Sequence, residues 1–125
     1  MGTWHILINI DKKEKISFSN VDTGLKLREL SGTAIAGSIV TCYLLNNVGD
    51  KITFINDSDE EFFLFGEKYK SNSFTAYREV TDEIVSLLLE QGVYKQEGII
   101  IVDKEDNLFY KNLVNIWDPK FPWNK

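Results

Sequence analysis

From Thr3 to Ile10 successive residues divide between two faces, Trp4, Ile6, Ile8 and Ile10 on one and His5, Leu7 and Asn9 on the other. That is the period of a strand. Asp11 to Glu14 reads as a polar turn and Ile16 to Phe18 as a short returning strand, so the chain opens on a hairpin. Past a loop holding Asn20, Asp22 and Gly24, the stretch Leu25 to Leu45 places Ile35, Ile39 and Cys42 or Tyr43 at helical spacing, with Val40 and Leu44 beside them. Ser31 is its expected N-cap, and Gly32, Ala34, Ala36 and Gly37 would let it approach a sheet closely. Asn46, Asn47 and Gly49 end it.

Lys51 to Ile55 and Phe62 to Phe65 read as strands joined by an acidic connection, and the stretch Glu61 to Tyr69 is expected to continue as a hairpin through Ser71, Asn72 and Ser73 to Phe74 and Tyr77. Thr81, Asp82 and Glu83 start a second helix with acids in its first turn; Ile84, Val85, Leu88 and Leu89 form its apolar face, and Gly92 stops it. Ile99, Ile100, Ile101 and Val102 are β-branched on both faces and predict a buried central strand, followed by a turn at Lys104 to Asn107 and a last strand, Leu108 to Lys111. On this reading aspartate at either Leu88 or Ile100 would unfold the protein. The element order predicts an α+β fold: a mostly antiparallel sheet of about five to seven strands with two main helices packed on one face.

A chain of 125 residues with 43% hydrophobic positions predicts one globular domain over residues 1–125, in which 113–125 form an extended aromatic and proline-containing tail. The longest apolar stretch, Ala34 to Leu45, is broken by Gly37, Ser38 and Thr41 and is too short to span a bilayer. No basic region precedes the opening apolar run, and Ile6 stands where a myristoylation motif wants a hydroxyl residue. Cys42 is the lone cysteine, which excludes an internal disulfide and suits a reducing compartment. A cytoplasmic location, with no membrane association, is the expectation.

Residues 1–56 carry six basic against five acidic side chains, and 68–125 eight against nine. Between these nearly balanced halves stand Asp57, Asp59, Glu60, Glu61 and Glu67 with no basic residue among them, a window equal to the whole net charge of −5. Such a concentration favours a cationic protein surface and disfavours nucleic acid. The competing reading is a solvated loop.

Several chemical motifs fail on their details. Gly32, Gly37 and Ser38 mimic a phosphate loop but lack its lysine and its preceding strand. Asp57, Asp59 and Glu61 have the spacing of a calcium loop, yet Phe62 replaces its glycine and Lys68 its terminal glutamate; Asp103, Glu105 and Asn107 fail in the same way at Leu108 and Val114. His5 is the single histidine, and Cys42 has no base near it in the pattern. No catalytic residue, metal ligand or cofactor is therefore expected, and no enzymatic activity.

Three Trp, five Tyr and eight Phe are many for a core of this size, and Trp and Tyr commonly anchor interfaces. Tyr69 and Tyr77, near the acidic window, join Asp57, Asp59, Glu60, Glu61 and Glu67 as the expected partner-binding set. The segment Trp117-Asp118-Pro119-Lys120-Phe121-Pro122-Trp123 is held extended by its prolines and is expected either to strap onto the body or to reach a partner.

Trp4 through Glu14, then Gly24-Leu25-Lys26-Leu27-Arg28-Glu29-Leu30, then Gly49-Asp50-Lys51-Ile52, resemble a group of small bacterial proteins of unassigned function with a similar opening and a similar Gly-Asp-Lys/Arg-Ile step. In size, acidity and abundance of Lys, Asn and Ile the chain also resembles immunity proteins of bacterial toxin systems, including contact-dependent growth inhibition. That resemblance implies a cytoplasmic inhibitor of a cognate toxin domain, commonly a nuclease, whose basic phosphate-holding surface an acidic protein would complement. It carries over no contact residue. The alternatives are a small-ligand or enzymatic domain using His5, Asp50 and tyrosines, and a structural homo-oligomer, such as a homodimer, joined through an exposed strand edge.

Overall fold

The structure, a computed structural model, describes residues 3–117. The opening alternation forms β1 (His5–Asn9), which turns back to pair antiparallel with β2 (Glu14–Ile16), Leu7 lying opposite Ile16. The long helical stretch is two helices, α1 (Leu27–Gly32) and α2 (Ala34–Asn46), separated by Thr33, whose extended backbone makes it the N-cap of α2. Ser31 is not that cap: it lies inside α1, and its hydroxyl donates back to the Leu27 carbonyl. Gly32 and Gly37 are exposed, and a Cβ added at either would meet nothing within 4 Å, so these glycines do not admit a sheet.

β3 (Ile52–Asn56) returns antiparallel along the other edge of β1. β4 (Glu61–Leu64) and β5 (Glu67–Lys70) make a tight hairpin through Phe65 and Gly66. The hairpin expected to run on through Ser71–Ser73 ends there instead, because Ser71–Phe74 is a turn of 3₁₀ helix. β6 (Arg78–Glu79) then joins β2 in parallel, completing a sheet of order β3-β1-β2-β6. α3 (Thr81–Glu90) ends where Gly92 takes φ +75, a conformation that glycine adopts without steric cost. β7 (Tyr94–Asp103) and β8 (Leu108–Asn115) form a separate antiparallel ribbon. The fold is α+β with mostly antiparallel strands.

Both faces of β1 are buried, which requires layers on both sides of the sheet. On one face Leu7 and Ile16 pack with Ile39 and Tyr43 of α2 and with Ile84, Val85 and Leu88 of α3. On the other, Ile8 and Ile55 pack with Phe62 of the β4–β5 hairpin and with Phe74. Asn9, fully buried among apolar neighbours, is satisfied: its amide donates to Asp50 at 2.9 Å and its carbonyl accepts from the Lys12 backbone at 3.0 Å. The Asn9 amide bond, reinforced by the Lys12 ammonium at 3.3 Å, holds the Asp50 carboxyl below its ordinary pKa.

Two expectations for the C-terminal third are corrected. Ile99, Ile100, Ile101 and Val102 are not a central strand; each is between 41% and 55% exposed. Among the described residues β7 pairs only with β8; the base of the ribbon is anchored, with Tyr94 and Leu113 in the main cluster and Lys111 of β8 bridged to Val21, while Ile99–Val102 stay largely exposed. The last strand also extends beyond Lys111 to Asn115, so residues 113–115 are strand rather than extended tail, and 118–125 lie outside the described residues.

Candidate protein-binding surface

The β4–β5 hairpin carries Glu61 and Glu67 of the acidic window, and Asp57, Asp59 and Glu60 lie in the connection that leads into it. Its pairing, Phe62 opposite Tyr69 and Leu64 opposite Glu67, turns Phe62, Leu64 and Tyr69 toward the sheet. The alternate pairs, Glu61 with Lys70 and Phe63 with Lys68, face outward. Phe63 is 77% exposed on that outer face. Phe65, half exposed at the tip, holds φ +51 beside Gly66 at φ +83. Both central residues of this two-residue turn are left-handed, a geometry that local preference fills with Asn-Gly or Asp-Gly. A phenylalanine in the first position costs roughly 1–2 kcal/mol.

The seven expected partner-binding residues divide into three groups. Asp57, Asp59, Glu60 and Glu61 gather at the open end of the hairpin, all exposed. There Asp57 accepts the Trp4 backbone N–H at 2.9 Å, Asp59 accepts the Asn56 amide at 3.1 Å, and the Asn56 carbonyl in turn accepts the N–H groups of Ser58 and Asp59. Glu67 sits near the tip and accepts the Tyr69 hydroxyl at 3.0 Å, which raises the Tyr69 pKa together with partial burial. Tyr69 and Tyr77 are half-buried under the hairpin, their rings 5.6 and 5.3 Å from that of Phe74. Burial raises the Tyr77 pKa as well. The two tyrosines are thus supports for the hairpin, while the aromatic surface it displays is Phe63 and Phe65.

Folding also supplies cations to the window. Lys68 meets Glu61 at 2.7 Å, and Lys70 stands opposite it across the ladder, so the two hairpin carboxylates, Glu61 and Glu67, share it with two lysines. Reading the window by sequence distance missed these partners, which β5 brings back alongside. Gly66, placed between the apolar run Phe62–Phe65 and the charged Glu67–Lys70, was the available signal for the turn.

The remaining chemical candidates are engaged in local structure. The His5 ring Nδ1 lies 3.2 Å from the Leu25 carbonyl. Burial raises the Cys42 thiol pKa, with the Asn46 amide 3.6 Å from its sulfur partly opposing the shift, which keeps it a poor nucleophile. Tyr43 donates to Glu14 at 2.7 Å, and Arg78 bridges Glu14 and Glu83, tying β2, α2 and α3 together. Glu79 accepts from Ser17 and from both the backbone and the hydroxyl of Thr81, stitching β2 to the start of α3. Among the described residues no cluster of three or more His, Cys, Asp and Glu side chains could hold a metal, and no helix is long and apolar enough to cross a membrane.

The β7–β8 ribbon is a second exposed surface of different character. Its apolar residues occupy both faces, and two register shifts interrupt β7, between Gln96 and Ile99 and between Ile101 and Asp103, with Gly98 at φ +80 in the first. Such bulges kink a strand edge and discourage pairing with another strand. Comparison with protein-family models, curated proteins and solved structures finds no match to this chain.

Proposed function

We propose that the protein is a protein-binding module that docks a cationic protein surface through the β4–β5 hairpin. The supporting observation is the tip: an exposed Phe65 held in a left-handed turn where Asn or Asp would relieve the backbone, flanked by exposed Phe63 and by carboxylates at both ends of the hairpin. Local strain retained at an exposed aromatic is the pattern of a residue kept for contact rather than for folding. The resemblance to immunity proteins supplies the partner class, a cognate toxin domain with a basic, phosphate-holding surface, encountered in the cytoplasm, where the lone Cys42 stays reduced. The protein then acts as a stoichiometric inhibitor and needs no catalytic group or cofactor.

Two outcomes follow. Charge reversal at Asp57, Asp59, Glu60 and Glu61 slows association with the partner and flattens the salt dependence of the on-rate, while the fold persists at a modest cost in melting temperature, because the bonds lost, to the Trp4 N–H, the Asn56 amide and Lys68, are all exposed. The partner is recovered by pull-down from the native host and its binding followed at low and moderate salt. Unchanged association kinetics would reduce the acidic window to a solvated loop and move the interface elsewhere. Phe65→Asn should stabilise the fold by about 1 kcal/mol by relieving the left-handed turn, yet speed dissociation of the complex. A destabilised Phe65→Asn protein, or one that holds its partner unchanged, removes the case for Phe65 as an anchor.

A further inference from the structure

The register of the β7–β8 ribbon sorts its exposed apolar residues onto two faces. Ile99 stands beside Lys111 and Ile101 beside Phe109 on one, and Ile100 stands beside Tyr110 on the other. Ile100 lines a small cleft against Val21 and Ile35, and Tyr110 lines another against Trp4 and Leu25, so their face looks toward the body of the protein. Ile99 and Ile101, opposite, are 53% and 55% exposed. A two-stranded ribbon needs an apolar layer to be stable in water, and over these two side chains the described residues supply little of one.

Charge decides what can supply that layer. Residues 94–115 hold three basic and four acidic side chains, a net of −1, so the rest of the chain carries −4 of the total −5. Residues 99–102 and 107–110 carry no charge at all. A cationic partner is drawn to the acidic connection before β4, whereas a copy of this acidic chain is repelled there and meets the least repulsion at the ribbon. Within the ribbon the charges sit at its two ends. The turn, with Asp103, Lys104, Glu105 and Asp106, has a net of −2, while at the base Lys95 meets Glu97 at 3.4 Å and Lys111 meets Asp82 at 3.1 Å, so that end is balanced.

We propose that the Ile99 and Ile101 face of the ribbon docks on the same face of a second copy of this chain, the two ribbons running antiparallel about a twofold axis. That orientation keeps the acidic turns apart and sets each against the balanced base of the other; parallel ribbons would place two turns of net −2 side by side. The contact is face on face, because the two register shifts in β7 discourage pairing along its edge. Its size sets its strength. The exposed run of β7, residues 95–102, extends about 26 Å, and two strands with their side chains are about 15 Å across, so one face offers roughly 400 Å² per copy. About 800 Å² in all is the size of weak, exchanging pairs, and the dimer therefore fills at high micromolar concentration.

Sedimentation velocity of the intact chain, from low micromolar to several hundred micromolar protein, reads the association directly. The mass should climb from that of one chain toward that of two and go no higher. The double variant Ile99→Thr, Ile101→Thr removes the apolar contact and keeps the β-branched side chains that favour a strand; with circular dichroism confirming its fold, it should associate at least about tenfold more weakly. Ile100→Thr, the same change on the opposite face, should dimerise as the parent does. Glu105→Gln with Asp106→Asn should leave the affinity within about twofold, since the antiparallel arrangement already separates the turns. A parent that stays monomeric throughout, a dimer that survives the threonine pair, or one lost equally with Ile100→Thr would overturn the proposal, and a severalfold gain from neutralising the turn would overturn the antiparallel arrangement. The β4–β5 hairpin packs in the other cluster, on the opposite face of the sheet from the one that anchors the ribbon, and no toxin domain enters the measurement, so the dimer and the proposed function fail independently.

Discussion

Leu88→Asp is expected to abolish folding, whereas Ile100→Asp should melt close to the parent protein. Leu88 is buried where α3 meets α2 and the sheet, in one cluster with Ile39, Tyr43 and Val85. Truncating such a leucine costs about 2–5 kcal/mol through lost burial and the cavity left behind. An aspartate there adds the desolvation of an unpaired carboxylate, several kcal/mol more, against a total stability on the order of 5–15 kcal/mol. Ile100 has the same kind of side chain in a different setting: it is 41% exposed on a two-stranded ribbon, and water already reaches the site where a carboxylate would stand. Surface changes of this sort usually stay within about 0.5 kcal/mol, with up to about 1 kcal/mol more from lost strand propensity. Urea melts of the two variants decide it. A folded Leu88→Asp protein would break the assignment of the α3 inner face, and an unfolded Ile100→Asp protein would mean that the ribbon is covered.

The contrast between these two residues shows what was legible in the sequence. Periodicity identified β1, α3 and the Gly92 stop because each is decided locally, by which side of a strand or helix carries the apolar groups. It could not separate Ile99–Val102 from a central strand, since β-branched residues on both faces describe a buried strand and an exposed ribbon equally well. The difference lies in whether a neighbouring strand is supplied, and that neighbour is set by topology. Topology also governs the acidic window. Lys68 and Lys70 follow Glu67 in sequence, yet the turn at Phe65-Gly66 folds them back across Phe63 and Glu61. The same turn directs Tyr69 inward and leaves Phe63 and Phe65 outside, reversing which aromatics of this stretch are available to a partner. Ser31 and Thr33 were separated by less: either could cap a helix, and the break at Thr33 is where the extended backbone falls.

Phe74→Ala is expected to loosen the proposed binding element while the helical layer stays folded. Phe74 is almost wholly buried at the centre of the second cluster, with Phe62, Tyr69 and Tyr77 ring centroids 6.2, 5.6 and 5.3 Å away. Removing the ring should cost about 3–5 kcal/mol, and part of that is the edge-to-face contact with Tyr77, worth about 0.5–1.5 kcal/mol beyond area. The loss should be uneven. The second cluster shares only the sheet with the first, which keeps Leu7, Ile39, Val85 and Leu88 packed whether or not the hairpin is seated. A two-stranded hairpin without its apolar layer is marginal in water, so β4 and β5 should open at lower free energy than α3. Hydrogen exchange on the variant should therefore show protection falling first at the β4–β5 amides, with α2 and α3 changed less. Uniform loss of protection would mean that the two clusters fold as one unit. If the hairpin is the docking element, the variant must also bind its partner more weakly in proportion to the open fraction, because an unseated hairpin presents neither Phe65 in its left-handed turn nor the carboxylates in register. Parent-like affinity in a protein whose β4–β5 amides exchange freely would place the interface on another surface, such as the β7–β8 ribbon with its exposed Ile99–Val102.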